Sequence, residues 1–435
     1  MPDSDVCRSA PGTLPLLVEL DWVLLRTSIR AELANRTITR HPFRGLPHAF
    51  TLAFGGTGQP GPALNPATLP YSQSILDILR SERAAGRELV LVARCERQHA
   101  EAIAAHLDLF DRICSERPAD AGSYELLASN ERQSWPSLLT MLRAMRIHQW
   151  AKNVLVFVPL LGVHGYGDAG KVFEAAIAFL TFGLVASSAY LLNDLADVAA
   201  DRQHPSKRKR VIASGALSLR QAWLTWPLLL LAGVGLSWLA LSATFTILII
   251  AYLVQTMLYS ALLKQMALVD VLILASLYTL RIIAGAVAIR VPTSFWLLCF
   301  SMFLFTSLAF VKRYSELSAT SEGKAQDAYL RGRGYRYDDA GLVATMGISS
   351  GYLAILVLAM YIHDSKTAQM YSHPELIWLA CPLLMFWVSR VWLVARRGRM
   401  HDDPIVFALK DRVSRILAIF LVLIVLSARL LPVTI

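Results

Sequence analysis

From about residue 140 to the C-terminus, apolar runs alternate with short polar loops. Nine runs stand out, over 153–166, 172–194, 219–240, 243–262, 268–289, 293–312, 340–362, 375–395 and 413–432. Most are close to the ~20 residues that a helix needs to cross the hydrocarbon core of a bilayer. The first is short and extends back through "RIHQWAKN" (146–153). Before residue 130 the pattern is different. "LPLLVELD" (14–21) and "ELVLVA" (88–93) are short continuous apolar runs, as in buried strands, whereas "SQSILDILRSERAAG" (72–86) and "ERQHAEAIAAHLDLF" (96–110) read as amphipathic helices. The pattern predicts a small α/β domain (1–130) followed by an all-α polytopic membrane domain (140–435) of about nine transmembrane helices.

Composition agrees with the pattern. The chain has 435 residues, 55% of them hydrophobic and only 17% charged, which is too apolar for an ordinary soluble enzyme of this size. A net charge of +10 raises the question of nucleic acid, but the basic residues lie in short segments between spans. The even-numbered loops carry nearly all of them, against Lys171, Arg290 and Lys366 in the odd ones. That asymmetry predicts an integral protein of the inner (plasma) membrane, with its N-terminus cytoplasmic and its C-terminus on the other side. Cys7, Cys95, Cys114, Cys299 and Cys381 show no paired spacing, so free thiols are expected. The N-terminus lacks a basic region before its first apolar run, and that run contains Glu19 and Asp21, so no cleavable signal peptide is predicted.

The candidate chemistry lies at the end of the second span, in "NDLADVAADRQHPSKRKRVIASG" (193–215). Asp194, Asp197 and Asp201 are spaced i, i+3, i+7, so a continuing helix would turn all three carboxylates to one face, with Asn193 joining through its i, i+4 relation to Asp197. Like charges at that spacing oppose a helix unless a cation lies between them. Mg²⁺, or Mn²⁺ in its place, suits a few carboxylates completed by phosphate oxygens, and the basic run with Lys207 and Arg210 offers further phosphate contacts. A charged loop facing an anionic leaflet accounts for the basic run but not for the aspartates.

This segment resembles the first aspartate-rich motif of the UbiA superfamily of intramembrane prenyltransferases. The resemblance covers 140–435, puts Asn193, Asp194, Asp197 and Asp201 at the metal-binding positions and implies a UbiA-type bundle; Val211 stands where the family usually has Pro. A second aspartate motif expected in the sixth loop is replaced by "FVKRYSEL", with Lys312, Arg313 and a single carboxylate, Glu316. Cations there suit a donor carrying an extra phosphate, such as 5-phosphoribosyl diphosphate. "RIHQWAKN", "YSALLKQMALVDV" (259–271) and "LYTLRIIAGAVA" (277–288) resemble the branch that moves phosphoribose onto a polyprenyl phosphate, with Arg146, Gln149, Lys152, Asn153, Tyr259, Lys264, Asp270 and Arg281 at matching positions. The resemblance implies Asp194, Asp197 and Asp201 on the metal diphosphate, Lys207 and Arg210 on its oxygens, and Lys312 and Arg313 on a sugar phosphate. Lys152, Lys264 and Arg281 are the candidates for the lipid phosphate. The expected partners are an isoprenoid lipid, a diphosphate donor and the bilayer, not nucleic acid.

Three other readings stay open at this level: transfer from a prenyl diphosphate to an aromatic or other lipid acceptor, a transporter, and a lipid-binding scaffold without catalysis. Polar "LSATSEGKAQDAYLRGRGYRYDD" (317–339) is a candidate cap, and "MHDDPIVF" (400–407) offers Asp402 and Asp403 to the metal or to a turn. In the front domain, "VELDWVLLRTS" (18–28) and "LVLVARCERQ" (89–98) resemble the first two motifs of haloacid dehalogenase-like phosphatases. Glu19 replaces the nucleophilic aspartate, Trp22 and Val23 replace Gly-Thr, and Ala93 and Arg94 fall where a hydroxyl belongs. A longer carboxylate displaces the attacking oxygen, so the resemblance implies a degenerate domain with a docking or regulatory role.

Overall fold

The structure, a computed structural model, describes residues 14–40, 64–118, 123–127, 135–319, 328–330, 332–363, 371–400 and 403–430. The chain divides into two compact units, Met1–Arg146 with Tyr190–Leu228, and Ile147–Ala189 with Leu229–Ile435. The sequence pattern separates the front domain from everything after residue 140, whereas in the fold the segment carrying the aspartates belongs to the same unit as the front domain.

In the first unit, strands β1 (Leu16–Glu19), β2 (Leu89–Val92), β3 (Arg112–Cys114) and β4 (Glu125–Leu127) form a parallel sheet of order β3-β2-β1-β4. Alternation along β1 sends Leu16 and Val18 into the larger core and Leu17 to the opposite face with Val90 and Val92. Among the described residues, three α-helices accompany the strands: α1 (Ile29–Arg40), α2 (Gln73–Ala84) and α3 (Arg97–Leu107). Asp21 accepts a hydrogen bond from the Ile29 N–H (2.9 Å) and so secures the start of α1; burial pushes its carboxyl pKa up. Glu19 is paired with Arg117 at 2.9 Å.

The remaining α-helices among the described residues are α4 (Leu138–Ala144), α5 (Val158–Gly162), α6 (Ala169–Ala196), α7 (Val198–Gln203), α8 (Leu219–Ala240), α9 (Ala243–Ala261), α10 (Val269–Ala288), α11 (Phe295–Ala319), α12 (Ala340–His363), α13 (Ala380–Arg396), α14 (Pro404–Lys410) and α15 (Arg412–Leu430). Among the described residues, eight helical segments are long and apolar enough to span a membrane, against the nine runs expected. The difference is the first run. Residues Ile147–Phe157 form a 3₁₀ segment that passes into the short α5, which contains Pro159. Large apolar side chains such as Leu231, Leu239, Ile247, Val254, Ile419 and Phe420 are exposed along α8, α9 and α15, as a hydrocarbon solvent permits. Cys95, Cys114, Cys299 and Cys381 are free thiols, and Cys7 lies outside the described residues.

The second unit is packed closely where small residues let backbones approach. A Cβ on Gly347 of α12 would lie 2.2 Å from Trp392 of α13 and 2.6 Å from Phe310 of α11. Gly285 of α10 presses on the 3₁₀ segment, where an added Cβ would meet the Val156 carbonyl oxygen at 2.1 Å. Gly285→Ala is therefore expected to destabilise the protein by about 1–3 kcal/mol, the usual cost of overpacking. Gly235→Ala in α8 meets nothing within 4 Å and is expected to be neutral or stabilising. Thermal unfolding of the two variants in detergent checks the contrast.

Candidate active site

The aspartate segment lies at the junction of α6 and α7. The continuous helix expected there does not form: the backbone turns at Asp197 (φ −92°, ψ 3°), and α7 closes at His204, held extended (ψ 132°) by Pro205. The three carboxylates consequently do not share one face. Asp197 is exposed, whereas Asp194 and Asp201 are 7% and 3% exposed. Arg210 joins the two buried carboxylates, its Nη1 donating to Asp201 Oδ2 (2.6 Å) and to Asp194 Oδ1 (3.2 Å). Arg146 adopts a left-handed backbone (φ 52°), pairs with Asp194 and lies over the Tyr190 ring at 5.2 Å. Lys207 is exposed on a 3₁₀ turn and Asn193 is half-buried.

Among the described residues no group of three His, Cys, Asp or Glu side chains converges in the manner of a closed metal cage. Two carboxylates meeting on one guanidinium nevertheless fit Mg²⁺, which keeps open positions for water and phosphate oxygens.

A second cluster lies within the other unit. Lys152 donates to Asp403 Oδ2 at 2.9 Å, Lys312 Nζ lies 3.6 Å from the same oxygen, and the Tyr278 hydroxyl donates to that oxygen at 3.2 Å. Asp403 also caps α14 by accepting from the Ile405 N–H (3.2 Å). Burial would raise its pKa, but the two ammonium groups more than offset this and hold the carboxyl well below the usual carboxylate range. Tyr278, Lys312 and Asp403 line a small cavity with Leu274 and Leu308. The Asp-Pro pair at the start of a helix was the sequence signal for this cap; Asp402 lies outside the described residues, as does the 320–327 part of the expected cap.

Two of the basic residues assigned to ligand phosphates have other work. Arg313 is fully buried, paired with Asp270 at 2.5 Å and with Glu316, and it donates to the Tyr259 hydroxyl at 3.1 Å. Adjacent residues on a helix point about 100° apart, so Lys312 turns to Asp403 while Arg313 turns into the protein. Asp270 accepts from Tyr335 (2.8 Å), and Arg333 reaches Tyr259 (3.2 Å) and the Lys264 carbonyl (3.4 Å), so this network ties the loop after α9 to residues 333–335. Lys264 itself is half-buried. Arg281, 4% exposed, donates to Asn153 (3.0 Å) and Tyr252 (2.9 Å) and lies over the Tyr252 ring at 4.8 Å. Its charge is met by amide, carbonyl, hydroxyl and aromatic groups, and it anchors the 3₁₀ segment that presents Lys152.

The fold and the aspartate segment together define an intramembrane transferase of the UbiA type. The model of the UbiA prenyltransferase family matches residues 154–410, and the chain belongs to that family. An uncharacterized protein of Sinorhizobium fredii, y4nM, is 31% identical over 92% of this chain and 88% of its own length, a match that takes in most of the front region as well. The nodulation protein NoeC of Azorhizobium caulinodans is 37% identical over 63% of this chain and 88% of its own. Decaprenyl-phosphate phosphoribosyltransferase of Mycolicibacterium smegmatis is 32% identical over 64% and 88%. Among solved structures, a UbiA homolog from Archaeoglobus fulgidus bound to DMAPP and Mg²⁺ has a TM-score of 0.49 at 16% identity, covering 66% of this chain and 99% of that one.

Proposed function

We propose that the protein is a Mg²⁺-dependent transferase that moves 5-phosphoribose from phosphoribosyl diphosphate to a polyprenyl phosphate at the cytoplasmic face of the inner membrane. The observation that carries the choice of donor is the pair of ammonium groups, Lys152 and Lys312, on the single carboxylate Asp403. A site with one more cation than anion favours a phosphate monoester over a second metal ion. Similarity to decaprenyl-phosphate phosphoribosyltransferase supports the same reading.

In this reading Asp194 and Asp201, with the exposed Asp197, would hold the metal, which would supply positive charge to the pyrophosphate leaving group. Arg146 and Arg210 donate to the diphosphate oxygens and stabilise the charge that grows on them as the sugar carbon becomes electron-poor. Lys312 receives the sugar phosphate, and Lys152 and Lys264 receive the lipid phosphate. The acceptor is already an anion, so no side chain is needed to remove a proton from it. For the front α/β domain, where Glu19 replaces the nucleophilic aspartate of the phosphatase-like motif, the reading is a docking or regulatory role.

The test is a paired assay of the purified full-length protein in detergent with Mg²⁺. One tube holds labelled phosphoribosyl diphosphate with a polyprenyl phosphate, the other a labelled prenyl diphosphate with aromatic acceptors. The expected product is a butanol-extractable phosphoribosyl lipid that a chelator abolishes. Product in the second tube alone overturns the donor assignment and makes the protein a prenyltransferase in the strict sense.

A further inference from the structure

We propose that helix α1 of the front domain is a positioning clamp for the metal-binding aspartates, so that this domain sets the affinity of the transferase for its metal-diphosphate donor. The proposal rests on the functional reading above and extends it to a part of the chain that the chemistry does not use. Two residues of α1, three positions apart and therefore on one face, grip the aspartate segment on either side of its break. Asn35, 2% exposed, donates to the carbonyl of Leu195, the residue after Asp194, at 3.0 Å. That carbonyl lies in the last turn of α6, where backbone acceptors lose their helical partners. Asn35 is held in turn by the Trp223 indole N–H at 3.0 Å.

Glu32, 4% exposed, makes a two-point pair with Arg202, the residue after Asp201, at 2.8 and 3.0 Å. Arg202 spends its other contacts on the carbonyls of Ala213 (3.1 Å) and Thr68 (3.2 Å), binding the aspartate segment to the turn that follows it and to the front domain. That turn is itself in close contact with the domain: Gly215 has φ +78°, and a Cβ there would approach Arg26 Cβ to 2.7 Å. Both carboxylates that meet on Arg210 thus have their immediate neighbour fixed by α1. Their separation is the property a shared metal ion reads.

The test is calorimetric titration of the full-length detergent-solubilised protein with Mg²⁺-pyrophosphate, alongside kinetics. Glu32→Arg and Arg202→Glu are each expected to weaken Mg²⁺-pyrophosphate about 10- to 100-fold, the usual effect of losing a group that orients a metal ligand, and the double charge swap to recover most of it. Asn35→Ala, a milder change, is expected to weaken it about tenfold. In each case the KM for the diphosphate donor rises while that for the polyprenyl phosphate stays put. Wild-type affinity in Asn35→Ala and in Arg202→Glu sinks the clamp. So does a parallel loss of both substrates with a lowered unfolding temperature, which marks a plain folding defect. If the wild-type protein itself does not bind Mg²⁺-pyrophosphate, the functional reading falls and the clamp with it; if it binds and the variants match it, the clamp alone falls.

Discussion

Asp194→Ala is expected to reduce turnover by at least about a hundredfold, the cost of removing one preorganised group at a centre of developing charge. The carboxylate is buried and contacted by both Arg146 and Arg210, so its loss removes a proposed metal ligand and leaves two guanidinium groups with one counter-charge fewer. Asp197→Ala is expected to abolish turnover as well, but with a different signature. Asp197 is exposed, and an exposed substitution stays within about 0.5 kcal/mol of wild type in stability. Turnover of phosphoribosyl diphosphate and thermal unfolding, measured together on both variants, separate the two roles. Wild-type-like turnover in either one rules out the aspartates as the metal site.

Arg313→Ala is expected to cost about 3–5 kcal/mol of stability, because it strands Asp270 in the interior without its charge partner. Both side chains of that pair are 0% exposed. The double variant Asp270→Asn, Arg313→Met removes both charges and is expected to regain much of the loss, since a buried ion pair replaced as a unit is often close to neutral. Assigning Arg313 to a ligand phosphate leads to the opposite result: an unchanged unfolding temperature and a raised KM for the donor. Lys312→Ala supplies the contrast, because Lys312 is 32% exposed and faces Asp403; there the donor KM is expected to rise without a comparable loss of stability.

The membrane class, the α/β character of the front region and the family were all legible from periodicity and one dense motif. Apolar runs reflect a solvent constraint that acts on each helix separately, so they survive without knowledge of neighbours. The first run, 153–166, does not form the expected long helix for a reason the pattern cannot carry: Ile147–Phe157 form a 3₁₀ segment whose Val156 carbonyl lies against Gly285, and the helix that follows is short. Arg281, expected to meet a lipid phosphate, instead donates to Asn153 and Tyr252, which come from distant segments.

The candidate site residues were therefore legible locally, in the spacing of Asp194, Asp197 and Asp201 and in the basic residues around them. What each side chain faces was decided only by the fold. A turn at Asp197 leaves that carboxylate exposed while Asp194 and Asp201 meet on Arg210, one residue's rotation sends Lys312 to Asp403 and Arg313 to Asp270, and the front domain joins the aspartate segment through Glu32 and Asn35. Charge pairing and direction depend on groups brought together from other elements, well beyond the reach of one helix or strand. Periodicity, which reports only on near neighbours, has no access to them.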